Sequence, residues 1–107
     1  MNDKKTEAFV ALCLALVEQA KTPTEETWRA MRAAQEAAER TFDGAVAFDV
    51  PWYAAQAICT REEVYAQHGR IVPMAAHADA LYAMRSAFSD VVWAATVAVR
   101  KALAGQA

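Results

Sequence analysis

Glycine and proline are scarce in this chain, at three each in 107 residues, and there are only two cysteines. The first scarcity excludes a collagenous or low-complexity chain, and two cysteines cannot staple a small fold as a disulfide framework. Charge of one sign is also lacking: 11 Lys plus Arg against 13 Asp plus Glu leave a formal charge of −2 and a pI of about 5.6. Such a balance gives no basic excess for a nucleic-acid backbone and is too mild for a nucleic-acid mimic. Long apolar runs are missing as well. The run Ala8 to Val17 follows Lys4 and Lys5 like a leader, but Glu7 and Glu18 bracket it and no small-x-small cleavage site comes after it. It spans only ~15 Å as a helix, half a bilayer, and reads as a core helix.

Motifs that carry chemistry are absent in the same way. The glycines stand alone at 44, 69 and 105, so no loop can cradle a phosphate, and neither Ser86 nor Ser89 sits in a nucleophile elbow. The Cys and His residues lack the compact pairing of a zinc site, and no Glu-x-x-His pair suggests a di-metal bundle. Thr60 to Gly69 has the outline of the first helix of a helix-turn-helix. The residues after Gly69 offer one Arg before the next helix and an Asp inside it, a poor base-reading surface. No catalytic residue, cofactor or metal is expected.

What the chain has in abundance is alanine, 27 residues of the 107, which leaves 33 larger apolar side chains. Alanine loses no side-chain entropy in a helix and lets helices approach closely. The expected fold is all-α, one domain over residues 1–107: an antiparallel bundle of three main helices, with one or two short helices inserted before a long C-terminal helix.

The spacing predicts a first helix from Asp3 to Ala20, with Phe9, Leu12, Cys13, Leu16, Val17 and Ala20 on one stripe. Thr22-Pro23-Thr24-Glu25 reads as a capping box that opens a second helix ending near Phe42, where Gly44 can take the left-handed conformation. The middle of the chain is less regular. Pro51 can open a short helix to about Cys59, although Val50 before it is biased toward extended backbone. Thr60-Arg61-Glu62-Glu63 reads as another capping box, for a helix closed by Gly69. Ala45 to Phe48 and Arg70 to Val72 could be extended and pair. From Pro73 to about Leu103 one helix of ~45 Å is expected, too long for two shorter helices to cover. It must either bend near Ser86 or Ser89 or bury part of its apolar surface against something else. Its stripe includes Leu81, Arg85, Phe88, Val92, Ala95 and Val99.

Two surfaces are candidates for function. Trp52 and Tyr53 are adjacent on a short helix and cannot both face one narrow core. With Arg61, Tyr65 and Arg70 they gather the Trp, Tyr and Arg types that dominate interface energies. The competing reading is that both rings plug the end of the bundle. On the last helix Val92, Trp93, Thr96 and Arg100 form a stripe wide enough for a homodimer seam. The sequence points to a small non-enzymatic helical protein that binds another protein as a regulator, inhibitor or accessory subunit, without nucleic acid or membrane. Cys13 and Cys59 lie in apolar surroundings and read as free buried thiols in the cytoplasm. The alternative is a small enzyme or a ligand- or metal-binding bundle, using Cys59, Glu62, Glu63, His68, His77 and Asp79.

Overall fold

A computed structural model describes residues 3–67 and 75–105. It is an all-α bundle of α1 (Asp3–Lys21), α2 (Glu25–Thr41), α3 (Val50–Arg61), α4 (Val64–Gln67), α5 (Ala75–Ala87) and α6 (Ser89–Ala104), with no strand among the described residues. Ala45 to Phe48 is irregular backbone and turn, and Arg70 to Val72 lies outside the described residues. None of the described helices is long and apolar enough to cross a membrane.

The first helix is the hub. Its expected stripe, Phe9, Leu12, Cys13, Leu16, Val17 and Ala20, is buried throughout, and it packs against α2, α3 and α6. A helix apolar around most of its circumference needs neighbours on more than one side. The link between α1 and α2 is three residues long, so these packed neighbours run antiparallel. Ala15 and Ala34 line the core at half burial, and Ala38 is fully buried, so no long side chain holds the helices apart there.

Helix α2 begins two residues later than the sequence suggests. Its N-cap is Thr24, whose Oγ1 accepts from the Thr27 amide at 3.2 Å while the Thr27 hydroxyl oxygen accepts from the Thr24 amide at 3.0 Å. The Thr27 hydroxyl also donates to the Thr22 carbonyl at 2.5 Å. This reciprocal box satisfies amides at the helix start, and Pro23 is left outside the helix. The helix stops at Phe42, and Gly44 then takes a left-handed φ of 81°.

The second expected box is overturned. Thr60 lies inside α3, and its hydroxyl donates to the Gln56 carbonyl at 2.8 Å, a bond that satisfies it without ending the helix. Ala57, Ile58 and Cys59 are buried at that point, so packing carries the helix onward. Val50 is helical despite the proline after it. The turn comes at Glu62 and Glu63, and Glu63 has a φ of 64°, a left-handed conformation that glycine normally supplies after a helix.

The long terminal stretch divides at Phe88, one of the two outcomes its length allows. Phe88 has φ −141° and ψ 62°, yet its amide still donates to the Met84 carbonyl and its carbonyl accepts from the Val92 amide. No proline or glycine stands there. The ring packs edge-on to Phe42 with centroids 5.4 Å apart, and Phe42 meets Phe9 in the same manner at 6.2 Å. Two helices then fit a molecule whose longest extent is 35 Å, where one straight helix would overshoot at ~45 Å.

Leu12 is fully buried and Leu14 is half-buried. Leu12→Ala should cost ~2–5 kcal/mol in chemical denaturation, and Leu14→Ala less than ~1.5 kcal/mol. Glu63→Gly should raise stability by about 1 kcal/mol by relieving the left-handed backbone, read in the same experiment.

Candidate functional site

Helices α3, α5 and α6 leave a cleft of about 320 Å³ between them. On α6 it is lined by Ser89, Val92, Trp93, Thr96 and Arg100, three or four residues apart and so on one face. Leu81 and Arg85 line it from α5 at the same spacing, and Ile58, Arg61 and Glu62 from the end of α3. Ile58, Leu81 and Val92 are each 3% exposed and make an apolar floor, while Trp93 stands 61% exposed at the side. The break at Phe88 puts Arg85 and Ser89 on the two sides of the joint, so both reach the same opening.

The electrostatics are uneven. Three guanidiniums, those of Arg61, Arg85 and Arg100, line the cleft with one carboxylate, that of Glu62. Arg100 takes it in a fork, Nε donating to Oε1 at 2.7 Å and Nη2 to Oε2 at 3.3 Å. That bond holds the Arg100 guanidinium above its ordinary pKa. The same guanidinium lies 5.8 Å from the centroid of the Trp93 ring, within reach of a cation–π contact. The Thr96 hydroxyl is occupied, donating to the Val92 carbonyl at 2.9 Å.

The residues singled out from the sequence separate into several places. Arg61 joins Val92, Trp93, Thr96 and Arg100 in the cleft. Trp52 and Tyr65 line a second groove of about 290 Å³ on another side of α3, together with Trp28 and Met31, and Tyr65 is only 6% exposed. Tyr53 is half-buried, its ring 5.2 Å from that of His77 on α5. Arg70 lies outside the described residues. Sequence reasoning missed Glu62 and Arg85 as cleft residues and Trp28, 50% exposed, as a groove residue. For Arg85 a signal was present: a charged residue in the register of an apolar stripe.

The described residues of the metal-binding alternative form no ligand cluster. Cys59 is buried in the core, Glu62 is committed to Arg100, and His77 packs on Tyr53; His68 is outside the described residues. Among the described residues no three metal-ligating side chains come together. The thiols themselves are held neutral. Burial pushes Cys59 up to about 12, and burial, with the neighbouring Cys59, pushes Cys13 well above its ordinary value. The Cys59 Sγ lies 3.8 Å from the Cys13 carbonyl oxygen. Neither is placed to act as a nucleophile, since the thiolate is the reactive form.

Comparison with protein-family models, with curated proteins and with solved structures finds no match to this chain.

The thiol environment has a measurable outcome. Both cysteines should resist a thiol-specific reagent near pH 8 in the native protein and react fully in denaturant. Unfolded thiols ionise from ~8.5 upward, whereas the folded ones keep their protons. The stability they contribute is full below ~8.5 and is lost as pH rises toward the folded value of about 12 for Cys59. Denaturation midpoints should fall across that window, and fall less steeply in Cys59→Ala.

Proposed function

We propose that this protein is a non-catalytic helical module that binds another protein, as a regulator, inhibitor or accessory subunit, and that it does so through the cleft between α3, α5 and α6. The observation that carries the reading is convergence: Arg61, Arg85, Arg100 and Trp93 come from three helices to one opening above an apolar floor. Arg and Trp are the side chains most often responsible for interface energy, and they act best around a pocket that an anchor from the partner can fill. Nothing in the cleft has the geometry of a nucleophile and base. Unpaired thiols, kept protonated by burial, suit the reducing cytoplasm where we place the protein.

The homodimer seam stands as a second reading because Trp93 is 61% exposed on α6. Val92 would contribute little to it, being 3% exposed in the cleft floor, so such a seam would consist of Trp93, Arg100 and the edge of Thr96.

The test uses tagged protein as bait in lysate of its source cells, with Trp93→Ala and the double variant Arg61→Glu/Arg85→Glu as controls. Arg61, Arg85 and Trp93 are exposed, so the variants should melt within a few degrees of the original. A partner retained by the original and reduced at least about tenfold by both variants supports the reading. Retention unchanged by the variants refutes the assignment to the cleft. Sedimentation of the purified protein reports on the second reading, which fails if the protein is a monomer at tens of micromolar.

A further inference from the structure

The cleft also indicates what part of a partner it takes. Resting on the reading of the cleft as a protein-binding surface, we infer that its occupant is a short acidic segment, an apolar side chain flanked by carboxylates, and that Glu62 holds the place of one of those carboxylates in the free protein.

The argument starts from charge. On a chain of formal charge −2, one opening gathers three guanidiniums and one carboxylate. Arg100 is matched by Glu62, whose side chain is 18% exposed and so set into the wall. Among the described residues Arg61 and Arg85 have neither an ion-pair nor a hydrogen-bond partner. Like charges held together without counter-charges raise the energy of the free protein, and a ligand that brings carboxylates removes that penalty. Guanidiniums pair carboxylates in a two-pronged fork, and Arg100 already shows that geometry on Glu62.

Size and surroundings narrow the class. A cleft of about 320 Å³ is at the small end of ligand pockets and takes one large side chain on its floor of Ile58, Leu81 and Val92. A phosphate backbone fits poorly. The chain as a whole carries a formal charge of −2, so a continuous polyanion gains no net attraction from the rest of the protein. A peptide can place carboxylates at Arg61 and Arg85 and none outside.

Glu62 then competes with the ligand for Arg100. Removing its charge while keeping its shape should release Arg100 to a further carboxylate, so Glu62→Gln should tighten binding where an ordinary loss of an ion pair would not.

The experiment measures fluorescence anisotropy of a short labelled peptide with Asp and Glu on both sides of one Leu, at low and at physiological salt. Controls are the same peptide with Lys in place of the acids and a labelled single-stranded oligonucleotide. The expected result is binding of the acidic peptide alone, weakened by salt, weakened at least about tenfold by Arg61→Gln or Arg85→Gln, and strengthened several-fold by Glu62→Gln. No binding of the acidic peptide overturns the inference, as does equal binding of the oligonucleotide. Unchanged or weaker binding by Glu62→Gln overturns the role given to Glu62. The two readings fail separately. If a lysate partner depends on the cleft while the acidic peptide does not bind, protein binding stands and the acidic occupant is wrong. If the peptide binds but no partner depends on the cleft, the converse holds.

Discussion

Phe88 sets the geometry on which most of the molecule depends. Its ring is held edge-on against Phe42, which in turn meets Phe9, so an aromatic chain joins α1, the end of α2 and the joint between α5 and α6. Lys5 lies 5.9 Å from the Phe88 centroid. Edge-to-face pairs contribute ~0.5–1.5 kcal/mol beyond the area they bury, enough to hold one residue out of helical geometry when the neighbouring hydrogen bonds survive. At Phe88 they do survive, on both sides. A one-residue departure from the helix brings α5 and α6 within the dimensions of the bundle and gives α3 a partner in α5. The same departure opens the basic cleft, because Arg85 and Ser89 flank the joint.

The fold was legible where local chemistry and burial agree. The stripe of α1 follows from 3–4 spacing, and the same six residues are buried. Boundaries were less legible, for a physical reason. Thr22 and Thr24 both offer a hydroxyl ahead of an acidic turn, and Thr24 prevails because Thr27 can return the hydrogen bond. At Thr60 a plausible cap was outweighed by the burial of Ala57, Ile58 and Cys59, since a threonine hydroxyl is equally satisfied by the carbonyl four residues earlier. The break at Phe88 has no local signature; length alone required a bend or a partner, and the ring that packs on Phe88, that of Phe42 at the end of α2, comes from a distant stretch of chain.

The candidate site divides along the same line. The face of α6 from Val92 to Arg100 was visible as a helical stripe. That Arg61 belongs with it, and Trp52 and Tyr65 do not, follows from which sides of α3 meet α6 and α1, a contact between distant stretches of chain that spacing does not encode. Glu62 was read within a helix-opening box and as a candidate metal ligand, and it serves as the counter-charge of Arg100. The left-handed turn at Glu63 directly follows it and helps to fix where that carboxylate lies.

The packing of α1 against α6 bears on how the protein is made. From Lys21 to Ser89 the chain advances 68 positions, which at ordinary synthesis speeds takes roughly 3–14 s. During that interval α2 and α3 can cover two sides of α1, while the side meant for α6 stays wet. Contacts between stretches far apart in sequence also make a helical protein fold more slowly than its helices alone would suggest. A nascent chain that stops before Ser89 has no closed core, so its open face is a natural place for a chaperone to hold it until the last helix arrives.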